Sequence, residues 1–126
     1  MDDVEFSPGF CSFIKATIPS VDAAELLLVF HSKPESAFTH EEAASRLGPG
    51  ISESEIVKRI DAFVAAGILS RDGNRYRYRV DSPASDDVER LAQAYRQRPV
   101  TLVRIIYALR DSNIQSFAEA FKLRRS

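Results

Sequence analysis

Apolar positions along the chain recur with a helical period over most of its length and with period two over one short stretch. From Phe6 to Ile18, Ser7 and Pro8 precede Phe10, Phe13 and Ile14 at helical spacing, which predicts a short helix over 7–17 with Ser7 as its N-cap. Pro19 ends it. Ser20 then opens a second helix from Val21 to about Ser32, in which Ala24, Leu27, Leu28 and His31 share a face that Leu26, Val29 and Phe30 widen. After the polar loop SKPES, Thr39 stands three residues before Glu42, the capping-box spacing in which each side chain satisfies the other's backbone N–H. The helix that follows carries only small or single apolar positions, Ala43, Ala44 and Leu47. Gly48, Pro49 and Gly50 form a turn, and Ser52 with Glu55 repeats the capping-box pattern to start a helix running to about Ala66.

At about 100° per residue, Ile56, Ile60, Phe63 and Val64 of that helix face the core. The opposite side presents Ser54, Lys58, Asp61, Ala62 and Ala65, with Glu53 and Glu55 at the first turn and Arg59 on the flank. Gly67 is a C-cap residue, after which Ile68 and Leu69 begin a strand. Asp72-Gly73 is the hairpin signal of a type I′ turn, and the return strand RYRYRV alternates, with Arg75, Arg77 and Arg79 on one face and Tyr76, Tyr78 and Val80 on the other. Beyond Ser82-Pro83, with Ser85 as cap, Val88, Leu91, Ala92 and Tyr95 stripe a helix over 86–96. Val100 to Leu109 is apolar on almost every side. Pro99 at a first-turn position and the lack of a pairing strand favour a helix there. Ile114, Phe117, Ala118 and Phe121, at i, i+3, i+4 and i+7 and followed by Leu123, predict a last amphipathic helix.

Two helices joined by a Gly-Pro-Gly turn and followed by a hairpin give the order of the winged helix-turn-helix. The run from Ile51 to Val80, with Gly67-Ile68-Leu69 followed by Arg71, Asp72 and Gly73, resembles winged-helix transcriptional regulators of the MarR type. The resemblance covers about a third of the chain and specifies a fold more firmly than a function. With its VDAAELLLVF, RPVTLVRIIYAL and SFAEAFKLRR segments the chain is also similar to uncharacterised bacterial winged-helix proteins, from which no activity carries over. The expected architecture is a mainly α single domain over 1–126. It comprises a winged-helix core of about 20–81 with a small β-hairpin wing, an N-terminal helix over 7–17 and a C-terminal helical extension over 85–123. The resemblance implies a homodimer through the terminal helices; the alternative is that these helices close the monomer's own core.

Composition bounds the function. In 126 residues, 44% hydrophobic and 28% charged content is that of one globular domain. No apolar run approaches the roughly 20 residues that span a bilayer, the N-terminus is acidic rather than signal-like, and one cysteine excludes an internal disulfide, so a cytoplasmic protein is expected. His31, His40 and Cys11 do not have metal-ligand spacing, and no phosphate loop, nucleophile elbow or carboxylate pair appears, so no catalytic residue, metal or cofactor is expected. Cys11, among Phe10, Phe13 and Ile14, reads as a packing thiol rather than a redox switch.

The net charge of −1 hides a basic hairpin, with Arg71, Arg75, Arg77 and Arg79 against Asp72 and Asp81. Two function classes follow. In the first, a transcriptional regulator binds double-stranded DNA with Ser54, Lys58 and Arg59 in the major groove and Arg71, Arg75, Arg77 and Arg79 on phosphates or in the minor groove. In the second, the same scaffold is a protein-interaction module whose arginines meet an acidic partner protein. Glu53 and Glu55 at the tip of the second helix count against base reading, although helix capping and the helix dipole also explain them.

Overall fold

Four helices begin by the same chemistry. The side-chain oxygens of Ser7, Ser20, Thr39 and Ser52 accept from the backbone N–H groups of Phe10, Ala23, Glu42 and Glu55 at 3.1–3.2 Å, which satisfies donors that a helix start leaves without partners. They open α1 (Pro8–Thr17), α2 (Val21–Ser32), α3 (His40–Ser45) and α4 (Glu53–Ala65). A hairpin follows, β1 (Leu69–Asp72) and β2 (Arg75–Tyr78), and then α5 (Ser85–Gln97) and α6 (Pro99–Arg110). The computed structural model describes residues 6–48 and 50–110, Arg110 by its backbone only. The helix expected around 114–123 lies outside the described residues, as does Pro49 of the turn between α3 and α4.

At Thr39 the box closes in both directions, because its own N–H donates to Glu42 Oε1 at 3.0 Å. At Ser52 only half of the expected box forms. Glu55 turns away from the Ser52 N–H and pairs with Arg59 one turn on, since a guanidinium offers a carboxylate more than one backbone N–H does. The other end of α4 is a Schellman stop. Gly67, at φ +80°, lets the Gly67 N–H donate to Val64 O at 3.0 Å and the Ile68 N–H donate to Phe63 O at 2.9 Å, and Ile68 is carried into the core.

The strands pair antiparallel with Leu69 opposite Tyr78 and Asp72 opposite Arg75. The two turn residues are therefore Gly73 and Asn74, not Asp72 and Gly73. Only Gly73 has positive φ, which is the glycine-first pattern of a type II′ turn rather than type I′. Phe38, just before the α3 cap, adds a one-residue third rung. Its N–H and carbonyl exchange 2.8 Å bonds with those of Tyr76, tying the α2–α3 connection to β2. The alternation of β2 ends at Tyr78. Beyond it the Ser82 N–H donates to Arg79 O at 3.1 Å in a turn that leaves Val80 67% exposed, whereas the period-two pattern places it with the tyrosines.

α5 starts without a side-chain cap of its own. Buried Ser82 accepts from the Ala84 N–H at 3.1 Å, and Ser85, the expected cap, is the first helical residue. Pro99 opens α6 at the position where a missing N–H costs nothing.

One core runs through the described residues, from Phe10 and Ile14 of α1 through Leu26, Leu27 and Phe30 of α2 and Ile56, Ile60 and Phe63 of α4. It continues through Tyr76 and Tyr78 of β2 to Leu91 of α5 and Leu102 and Ile106 of α6. Each large side chain removed from water contributes about 1.5–3 kcal/mol, against about 0–1 kcal/mol for an exposed ion pair, so packing rather than charge holds the fold. His40 belongs to this packing and is not the exposed residue its first-turn position suggests. Its ring lies 4.9 Å from that of Tyr76 with Nε2 buried. His31 packs edge-on to Tyr78 at 5.3 Å and bonds to Glu89 of α5 at 2.8 Å.

Among the described residues no helix is long and apolar enough to cross a membrane, and no group of three His, Cys, Asp or Glu side chains is placed to hold a metal ion.

Candidate nucleic-acid interface

α4 buries Ile56, Ile60 and Phe63, which fixes what it shows to solvent: Glu53, Ser54, Lys58, Asp61, Ala62 and Ala65. Among the described residues Lys58 makes no ion pair or side-chain hydrogen bond, so its ammonium is available to an anion. Ser54 is exposed, with its hydroxyl 3.2 Å from that of Ser52. Arg59 is not on this face. Four-fifths of its side chain is buried, it pairs with Glu55, and it lines an open cleft of about 620 Å³ with Pro19, Ser20, Asp22 and Ile51.

The hairpin arginines separate in the same way. Directly opposed residues of an antiparallel pair share a face, so Arg71, opposite Tyr76, lies on the tyrosine side, whereas Arg75 and Arg77 lie on the other with Asp72 and Ser70. The four do not make one stripe. Arg71 folds back over the turn, its Nε donating to Gly73 O at 2.9 Å. Arg75 reaches across to α3 and its approach, donating to Ala37 O at 3.1 Å and to Glu42 at 3.0 Å. Glu42 thereby joins the box and the hairpin, and its carboxyl is held below the usual range by the Thr39 N–H bond and by the Arg75 guanidinium.

Arg79 is also engaged. Its Nε donates to Asp81 at 3.4 Å, and its guanidinium lies over Gly67, at the end of α4 where a cation interacts favourably with the helix dipole. Arg77 is exposed and, among the described residues, makes neither an ion pair nor a side-chain hydrogen bond.

Of the seven expected contacts, then, Lys58 and Arg77 are uncommitted, Ser54 is exposed beside Ser52, Arg71 is tied through one nitrogen, and Arg59, Arg75 and Arg79 already have carboxylate partners. An exposed cation beside the α2–α3 connection was not among the expected contacts. Arg46, just after α3, lies over the Phe38 ring at 4.9 Å, a placement its position in sequence does not announce because Phe38 reaches it only through the pairing with β2.

No family model matches the chain, and no curated protein and no solved structure matches it either.

Proposed function

We propose that this chain is a winged-helix domain that binds double-stranded DNA as a transcriptional regulator, with the hairpin as the main contact and α4 as a shallow one. The observation that carries the reading is the element order with its extra rung: α2, the Phe38 bridge, α3, α4 and then a hairpin whose second strand holds Phe38. In such a domain α3 and α4 are the helix-turn-helix and β1–β2 the wing. Lys58 on the outward side of α4 and Arg77 and Arg71 on the wing are the cations with capacity for phosphates. A protein-interaction module binding an acidic partner protein is the second reading. It is supported by the Glu55 carboxylate that holds Arg59 and by Glu53 at the first turn of α4, which weaken α4 as a reader of bases while Arg77 on the hairpin stays available to a carboxylate.

Three phosphate contacts give a log–log salt slope of about −3 per protomer, since each neutralised phosphate contributes about 0.9. Fluorescence anisotropy of a labelled mixed-sequence duplex between low and moderate salt measures it. Lys58→Ala and Arg77→Ala should each weaken binding at every sequence tried and reduce the slope by about 1. Arg59→Ala and Arg79→Ala should leave the slope unchanged. Absence of salt-dependent binding by the wild type sinks the regulator reading. A stoichiometric protein that co-purifies with the wild type but not with Arg77→Ala supports the interaction module.

A further inference from the structure

The cleft between α2, the end of α3 and α5 combines groups that neither α4 nor the hairpin uses. Glu25, Leu28 and Val29 lie along one face of α2, Arg46 and Leu47 follow α3, and Tyr95 comes from α5. Together they line a volume of about 390 Å³, toward the lower end of the roughly 300–1,000 Å³ of small-molecule sites.

Opposite charges stand in this cleft without pairing with each other. Phe38 holds Arg46, whose guanidinium carbon lies 4.9 Å from the ring centroid, and among the described residues Arg46 forms no ion pair or side-chain hydrogen bond. Glu42, the carboxylate whose charge it senses, is already bonded to the Thr39 N–H and to Arg75. Glu25 accepts from the Tyr95 hydroxyl at 2.9 Å through Oε2, which leaves Oε1 an open acceptor among the described residues. An exposed guanidinium and a half-buried carboxylate are thus each steadied by an aromatic residue, with half-buried Leu28, Val29 and Leu47 in the same cleft.

We infer that this cleft binds a small apolar α-amino acid. The planar Arg46 fork matches the two oxygens of its carboxylate, Glu25 Oε1 takes its ammonium, and Leu28, Val29 and Leu47 take its side chain. The charges select the class. An apolar acid would leave Glu25 uncompensated and an apolar amine would leave Arg46 so, whereas a zwitterion satisfies both. Side chains already held in place lose little freedom on binding, which suits a ligand that makes few contacts. The inference does not depend on DNA binding, since neither Lys58 nor Arg77 lines the cleft.

The test is a titration of full-length protein with L-leucine, L-isoleucine, L-valine, L-methionine and L-phenylalanine, followed in proton–nitrogen NMR correlation spectra. At least one should produce saturable shifts at residues 25–29, 46, 47 and 95, with a Kd of about 1 mM or tighter. Arg46→Gln should weaken that binding about tenfold or more, and so should removal of the ligand's ammonium, as in 4-methylpentanoate for leucine or 3-phenylpropionate for phenylalanine. Glu25→Gln, whose amide oxygen still accepts from Tyr95, should bind the amino acid and its desamino acid with about equal affinity. The inference is overturned if none of the five gives saturable shifts at those residues, or if Arg46→Gln leaves the affinity unchanged. A desamino acid that binds the wild type as tightly as its amino acid also overturns it, in favour of a site for simple acids.

Discussion

Tyr78 is buried against His31, yet among the described residues its hydroxyl has no hydrogen-bond partner. A buried polar atom without a partner is a standing cost, so Tyr78→Phe should be neutral or stabilising by up to about 1 kcal/mol in urea unfolding near neutral pH. The same variant has an alkaline signature. Burial, then the charges of Glu89 and Asp86, push the Tyr78 phenol up, and the hydrogen bond to Glu25, aided by burial, does the same to Tyr95. A folded-state pKa above the unfolded value means that the native state holds the proton longer. That stabilisation is fully present below the ordinary phenol value of 10.0 and is lost as pH rises through the raised one. Wild-type stability should therefore fall as the pH is taken above about 10, and less steeply in Tyr78→Phe, where Tyr95 alone remains. An equal fall in both proteins would mean that Tyr78 does not titrate as its surroundings require. At this scale the sequence showed the alternation that buries Tyr76 and Tyr78, but not which arginine finds a carboxylate. Arg75 and Glu42 are 33 residues apart and meet only because β2 runs beside the start of α3.

Among the elements, the passage from α4 to β1 rests on one backbone conformation. Gly67 sits at φ +80°, and a Cβ there would meet nothing closer than Arg79 Nη1 at 4.0 Å, so the cost of Gly67→Ala is conformational rather than steric. About 1–2 kcal/mol should be lost, with part recovered in Gly67→Asn. Gly9, in the first turn of α1 with ordinary φ and open space around it, should behave oppositely. Gly9→Ala removes unfolded-chain freedom without strain and should stabilise by about 0.4–1 kcal/mol. Thermal unfolding of the pair separates the two effects, and loss of stability in Gly9→Ala would contradict the geometry of α1. Helix starts were legible because a cap and its partner N–H lie three residues apart. The Phe38 rung was not, since a one-residue bridge has no period of its own and exists only where another strand is brought to it.

For the whole molecule the main observation is that one buried cluster joins the first helix to the last described one, with Phe10 1% exposed at one end and Ile106 1% at the other. Phe10→Ala should cost about 3–5 kcal/mol. Because the core is continuous, in a background of Tyr95→Phe and Tyr107→Phe, where Tyr76 and Tyr78 of the hairpin are the remaining tyrosines, it should lower the unfolding midpoints seen by helix circular dichroism and by tyrosine fluorescence by the same amount. A shift in the helical signal alone would show that the hairpin and the outer helices unfold separately. The sequence by itself determined the starts of the first four helices, the stop of α4, the presence of the hairpin and the apolar faces of the helices, since caps, turn glycines and periodicity act over a few residues. Only the tertiary structure decided which cations remain available. Glu42 reached Arg75 from 33 residues away, and the local pairs Glu55–Arg59 and Asp81–Arg79, possible from spacing alone, formed where the packing of α4 and the turn after β2 held them together, leaving Lys58 and Arg77 uncommitted among the described residues, because the field at a side chain is set by whatever charge the fold brings within a few ångströms.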